Sequence, residues 1–400
     1  MNKTIRKAFK YRLNTTAEIN QKLSVYAGGC RFVWNKALAL NLARLNQKQP
    51  ILWYEELNFW ATLWKKSDDY SFLKELPSQV LQQKLKNLDK AFKDAFDKKQ
   101  TFKRIPVFKR KGQSDSIRYP QGFKIDQQGN RVFLPKIGWV CYRNSRKIVG
   151  TAKNITVTRK GKHWYVAIQV EYETPSTAHK SSSIVGIDMG VKLFATLSNG
   201  IVYQPLNSFK KSAEKLATLQ RKLKHKRKFS NNWQKQKAKI TQHHQKIANA
   251  RRDTLHKIST EISENQAVIV IEDLKIKNMS KSSKGNSEKH GKRVAQKSGL
   301  NRSILDQGWG IFFDMLEYKQ GWNGGIVVTV PAHHTSQTCP CCHHVAKENR
   351  LTQADFVCVE CGYSNNADLV GAMNVLARGH CVLACEVNGV VMPSAAGTGK

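Results

Sequence analysis

Two CxxC pairs, Cys339/Cys342 and Cys358/Cys361, constrain the fold of this chain more than any other feature. Each pair makes a knuckle that turns both sulfurs toward one point, and two knuckles supply the four thiolates of a tetrahedral Zn²⁺ site. A metal held by four sulfurs has no open position for water, so the spacing implies a structural role. His333, His334, His343 and His344 flank the cysteines and read as surface neighbours of a complete sulfur set. Seven residues past Cys361 stands Asp368, at the start of the helix-like run LVGAMNVLAR. An aspartate there often only caps its helix. It gains meaning only if the chain supplies partners.

The partner class follows from charge. The chain carries 67 Lys+Arg against 29 Asp+Glu, a formal net charge of +38, and basic residues recur in every segment. Such a surplus suits a polyanion, nucleic acid above all. No apolar run approaches membrane-spanning length, so no membrane partner is expected. The first residues, MNKTIRKAFKYRL, alternate instead of forming the apolar block of a signal peptide. Nine cysteines, five within the zinc segment, fit a reducing cytosol, and Cys30, Cys141, Cys381 and Cys385 read as ordinary thiols.

Along the chain, residues 5–13 alternate Ile5, Phe9, Tyr11 and Leu13 against Arg6, Lys10 and Arg12, a half-buried strand with a basic outer face. Thr15 with Glu18 forms a capping box for a helix running to about Gln47. A second helix starts at Ser78, with Leu81, Leu85, Leu88, Phe92 and Phe96 as its stripe. Between them, ILWYEELNFWATLWKK reads as helical with its aromatics in the core. TFKRIPVFKRKG offers Lys103, Arg104, Lys109 and Arg110 to a phosphate backbone. KNITVTRKGKHWYVAIQVEYE predicts a hairpin turning at Lys160-Gly161. A helical block, 15–98, is thus inserted into a β unit of 1–14 and 99–180.

After the linker STAHKSSS, IVGIDMG is a buried strand ending at Asp188. Two basic helical segments fill 209–264 and bring Lys222, Lys226, Arg227, Arg251 and Arg252 as candidate contacts. AVIVIEDL is a short buried strand ending at Glu272. Residues 275–299 lack periodicity and read as a mobile, lid-like loop. The last helix ends at Gly379, leaving 380–400 as a tail.

Asp188, Glu272 and Asp368 can therefore converge at one edge of an α/β sheet. Clustered acids repel and need cations among them; two Mg²⁺ ions about 4 Å apart would hold the attacking water and the leaving oxygen of a phosphodiester. Each acid alone has a plainer role: Asp188 in a turn, Glu272 at a strand edge, Asp368 as a cap. Asp273 rivals Glu272 as a ligand.

The ordered set GIDMG, VIVIEDL, LDQGWGIFFDMLEYK, TSQTCPCC, FVCVECGY and NNADLVGAMNV resembles the TnpB family, transposon-encoded relatives of compact type V CRISPR effectors. The resemblance spans nearly the whole chain. It implies an α/β RNase H-like (RuvC) nuclease over 181–334 and 364–379, an inserted zinc module over 335–363, and an N-terminal wedge-like β-barrel with a helical recognition insertion. It further implies RNA-guided cleavage of double-stranded DNA beside a short motif. Asp188, Glu272 and Asp368 would be the magnesium-binding catalytic acids, and Cys339, Cys342, Cys358 and Cys361 the zinc ligands. The partners would be a guide RNA from the transposon end and target DNA, with a protein monomer in the bacterial or archaeal cytoplasm, nucleoid-associated. Many members carry Asp-Arg where this chain has Asn366 and Ala367. A regulator that binds guided DNA without cutting, and a strand-joining transposase, are the competing expectations.

Overall fold

The computed structural model describes residues 2–100, 102–113, 115–175, 178–286 and 290–387. It divides into two compact units, Met1–Pro175 and Ser176–Lys400.

The first unit contains β1 (Asn2–Asn14), α1 (Ala17–Asn46), α2 (Tyr54–Lys66), a 3₁₀ stretch (Asp68–Glu75) and α3 (Ser78–Phe96). Six strands follow: β2 (Ser116–Tyr119), β3 (Lys124–Asp126), β4 (Arg131–Leu134), β5 (Gly138–Tyr142), β6 (Thr151–Lys160) and β7 (His163–Pro175). They form one antiparallel sheet in the order β2-β6-β7-β1-β5-β4-β3. Among the described residues no ladder joins β2 to β3, so the hydrogen-bonded sheet is open. The alternation of β1 sends Ile5, Phe9, Tyr11 and Leu13 inward, where the last three join the helices in one core with Leu23, Leu57 and Leu85.

Local details differ from the sequence expectation for physical reasons. Thr16, extended at φ −73°, caps α1 by accepting from Ile19 N, while the Thr15 hydroxyl turns to Asn20. Lys160 pairs with His163, which moves the hairpin turn to Gly161-Lys162, where Gly161 takes φ +59°. On α2 only the stripe Leu57, Ala61 and Trp64 is buried. Trp53, Phe59 and Trp60 lie on its outer side, with Phe59 63% exposed, so the aromatic run is only partly core.

The second unit holds β8 (Ile184–Met189), β9 (Ala195–Leu197), β10 (Val202–Tyr203), α4 (Ser208–Lys224), α5 (Asn231–Asn265), β11 (Val268–Glu272), α6 (Ile276–Met279), α7 (Val294–Gln307) and α8 (Trp309–Asn323). β12 (Ile326–Val330), β13 (Asp355–Val357), β14 (Ser364–Asn366) and α9 (Ala367–Val387) complete it. The main sheet runs β10-β9-β8-β11-β12. β8, β9 and β10 are antiparallel neighbours, whereas β11 lies parallel to both β8 and β12. The near-continuous apolar runs of β8 and β11 reflect cover on both faces. Ile258, Ile262, Phe312 and Leu316 pack with Ile187, Ile269 and Ile271, while Val375 packs with Val270 and Val330.

α9 comes unusually close to the sheet. A Cβ on Gly186 would stand 2.3 Å from the Ala372 carbonyl oxygen, and one on Gly379 would stand 2.3 Å from a Val270 methyl. Two glycines therefore set the helix–sheet distance. Gly379 is a packing residue rather than a stop, and the helix continues to Val387, through the first part of the expected 380–400 tail. Residues 388–400 of that tail lie outside the described residues. The expected loop at 275–299 contains α6 and the start of α7. The start of α7, Val294–Gly299, buries no side chain, so no apolar period marks it in the sequence. Lys297 Nζ donates to Met279 O and Asn301 Nδ2 to Ser280 O, tying α7 back to the segment before it. Among the described residues no helix is long and apolar enough to cross a membrane.

Candidate active site and metal centre

Strand direction and helix position bring three carboxylates of the second unit together. Asp188 lies near the C-terminal end of β8, opposite Thr196 of β9. Glu272 ends β11, opposite Val330 of β12, and is 7% exposed. β8 and β11 are parallel, so both acids emerge at the same sheet edge. Asp368 sits on the first turn of α9, the helix that Gly186 admits onto β8. On the next turn, a Cβ on Gly371 would lie 3.3 Å from the Asp188 carboxyl carbon. That missing side chain leaves the acid room beside the helix.

The acids sense one another. Burial pushes the Asp188 carboxyl up to about 7, with the charges of Glu272 and Asp368 adding to the push and Arg350 opposing it. Burial also raises Glu272, against the Thr335 hydroxyl and the Arg378 guanidinium. Thr335 Oγ1 donates to Glu272 Oε1 at 2.6 Å, and Arg350 Nη2 reaches Asp368 Oδ1 at 3.3 Å. Capping of α9 falls to Asn366, whose Oδ1 accepts from Asp368 N and Leu369 N. The Asp368 carboxylate is thus not needed as the cap. Asp273 pairs with Lys275 and lines a cleft with Asp314 and Glu317.

The four cysteines form a different kind of cluster. Their sulfurs all lie within 4.8 Å of one another, the only such group of ligand atoms among the described residues. Cys339 and Cys361 Sγ are 3.6 Å apart, as are those of Cys342 and Cys358. A tetrahedral zinc with bonds of about 2.3 Å sets its sulfurs about 3.8 Å apart, so the donor set fits that ion. The thiols titrate together: the Cys361 backbone N–H draws Cys358 down to about 6, while Cys342, against the pull of the His344 backbone, is pushed up by burial and by the three neighbouring thiols. Asn349 braces the segment: Nδ2 donates to Gln337 O and His344 O, and Oδ1 accepts from Val359 N. His333, His334 and His343 are exposed and His344 is half-buried.

The candidate nucleic-acid residues divide into three groups. Arg104, Arg110, Lys222, Arg227 and Arg252 are exposed, and Lys226 and Arg12 are half-buried. Arg6 pairs with Glu171 at 2.6 Å, Lys10 lies over the Tyr165 ring, and Lys103 is 3.8 Å from Asp94; all three remain exposed. Lys109 and Arg251 depart from the expected surface role. Lys109 Nζ sits 3.3 Å from the Trp34 ring centroid, and burial beside Lys84 lowers it to about 8. Arg251 is 2.5 Å from the buried Asp306, which also accepts from Ser208 Oγ and Phe209 N at the start of α4. Both cations are half-buried and engaged within the fold, Lys109 by the Trp34 ring and Arg251 by Asp306.

Thr335 stood unread inside the TSQTC run, and Arg350 carried no sequence signal at all. Their roles follow from the return of the chain past the acids.

Residues 167–283 match a family model described as a probable transposase, and residues 309–375 match a Cas12f1-like TNB domain. A third model, described as a helix-turn-helix domain, matches residues 1–49, where the structure has β1 and the single long α1. A protein of Escherichia coli K12 named "Putative RNA-guided DNA endonuclease InsQ" is 51% identical over 378 residues, covering 94% of this chain and 93% of its own. A Streptomyces pristinaespiralis protein named "Putative RNA-guided DNA endonuclease" is 31% identical, covering 96% and 92%. The solved complex of Cas12f1 with guide RNA and target DNA aligns over 93% of this chain and 98% of its own, at 16% identity and a TM-score of 0.46.

Proposed function

The chain belongs to the TnpB family, and from that premise we propose that it is an RNA-guided DNA endonuclease whose catalytic acids are Asp188, Glu272 and Asp368. The observation that carries the proposal is their convergence from β8, β11 and α9, felt in the raised Asp188 carboxyl. A cation would relieve that repulsion, and hard carboxylate oxygens suit Mg²⁺. Bound there, paired Mg²⁺ ions supply charge neutralisation for an in-line phosphodiester hydrolysis. The protein's own part is to hold the three carboxylates around the scissile phosphate, with Arg350 and Arg378 offsetting their charge. We read the second unit as an RNase H-like nuclease, from its antiparallel β10-β9-β8 meander extended by parallel β11 and β12. We assign the four cysteines a structural zinc.

The basic surface fits a guide RNA paired to its DNA strand, an A-form duplex held through its backbone while base pairing reads the sequence. We assign the first unit a wedge and recognition role, with α1 to α3 as the recognition insertion, and place the protein in the cytoplasm, associated with the nucleoid. The test is to co-express the protein with the RNA flanking its gene and supply matching double-stranded DNA and Mg²⁺. Guided cleavage by the wild type, lost in Asp188→Ala with target binding retained, is expected. Equal occupancy by both with no strand breaks would instead make the protein a binding regulator.

A further inference from the structure

α9 carries Asp368 at its start, and further along it presents Asn374, which is 6% exposed. Asn374 Nδ2 donates to Thr335 O at 2.8 Å and to Thr338 O at 2.7 Å, so one amide spans the turn that leads into the first zinc knuckle. That turn is also closed from within, because His334 O accepts from Gln337 N, Thr338 N and the Thr338 hydroxyl. At its head, Thr335 is 5% exposed and aims its hydroxyl at Glu272 Oε1, 2.6 Å away. At its tail, Thr338 is bonded directly to Cys339.

The geometry points to Thr335 and Asn374 as positioning residues for Glu272, forming a link through which α9 and the zinc knuckle fix the orientation of that acid. Glu272 ends its strand with a flexible side chain, and burial alone does not select a rotamer for it. A single short hydrogen bond from a β-branched residue does, provided the donor itself cannot move. Asn374 supplies that immobility by using both amide hydrogens on the turn, and the knuckle anchors its far side. α9 thereby sets two of the three acids: Asp368 directly, and Glu272 through the turn. Outer-shell donors of this kind alter metal affinity or activity by about 10–100-fold when removed.

This inference rests on the nuclease reading above. The experiment compares wild type, Thr335→Val, Thr335→Ser and Asn374→Leu as full-length, zinc-loaded protein. Three quantities are read: Mn²⁺ affinity by electron paramagnetic resonance without RNA, zinc content, and guided cleavage rate at saturating target. Thr335→Val and Asn374→Leu should keep one zinc and wild-type target binding while losing about 10-fold or more in Mn²⁺ affinity and cleavage rate. Thr335→Ser should restore both to near wild type. Wild-type Mn²⁺ affinity in Thr335→Val, or a Thr335→Ser variant as impaired as the valine, would overturn it. If the wild type binds Mn²⁺ but cuts nothing, the nuclease reading fails while the affinity comparison still decides the role of Thr335. If the wild type binds no Mn²⁺ at this site, both fall.

Discussion

The two polar clusters of the second unit are built on opposite plans. The four thiols come from one short stretch, 339–361, and lie so close that their sulfurs all fall within 4.8 Å of one another. The three carboxylates come from 188, 272 and 368, on two strands and a helix, and each depends on a neighbour supplied from elsewhere: Gly371, Thr335 or Arg350. The thiol cluster is written locally in the chain, whereas the carboxylate cluster is assembled by the fold. Thr335 and Arg350, which bond to two of the acids, lie on or beside the segment that carries the cysteines, and among the described residues the thiols bond to one another rather than to an acid.

The largest effect should come from breaking the local cluster. Cys339→Ser removes a thiolate from the knuckle next to Thr338, and structural zinc contributes many kcal/mol to the folding of its module. Zinc content should fall below one per chain, and guided cleavage should be lost with it, as atomic absorption and a gel assay would read. Full cleavage by the zinc-free variant would refute the dependence.

The converse change should leave zinc untouched and stabilise the protein. Folded Asp188 keeps its proton up to about pH 7, whereas a carboxyl in an unfolded chain loses it near pH 4, roughly. Metal-free wild type should therefore lose stability as pH rises between those values and remain at the lower level above them. Asp188→Asn removes that slope, so at pH 8 without Mg²⁺ it should unfold at higher denaturant than wild type, by up to roughly 4 kcal/mol. At pH 4 the two should be alike. Identical denaturation curves at pH 8 would mean that the acid carries no such burden.

A smaller effect tests the contact on which the assembled site depends. Gly186→Ala would press a methyl against the Ala372 carbonyl and push α9 outward. A loss of about 2 kcal/mol is expected, with reduced cleavage and normal zinc. Zinc and cleavage falling together would show that the two clusters are less separable than their construction suggests.

These same plans decided how much could be read from the sequence. CxxC spacing is a local code, and the two knuckles were legible at once. β8 and β11 were legible as short apolar runs, and their ends located Asp188 and Glu272. Arg350 was invisible because its partner lies on another element and nothing near it in the chain marks the pairing. Charge in a sequence says nothing of burial, so the contacts of Lys109 with Trp34 and of Arg251 with Asp306 could not be read from it. Gly379 looked like a helix stop because the usual reason for a late glycine is a left-handed cap, and here the reason is Val270. Trp53, Phe59 and Trp60 misled in the other direction, since α2 has room for only one buried stripe.

The place of β1 at the middle of the first sheet has a consequence for how the protein is made. Asn2 faces Pro175 and Arg12 faces Tyr165, so β1 leaves the ribosome long before its main partner, the last strand of its unit, appears. Contacts of such long sequence separation form late, whereas α1 to α3 can form from local contacts while synthesis continues. During that delay β1 is an unpaired edge, the usual template for aggregation. Arg6, Lys10 and Arg12 line its outer face, and like charges there would keep two nascent copies from zipping together.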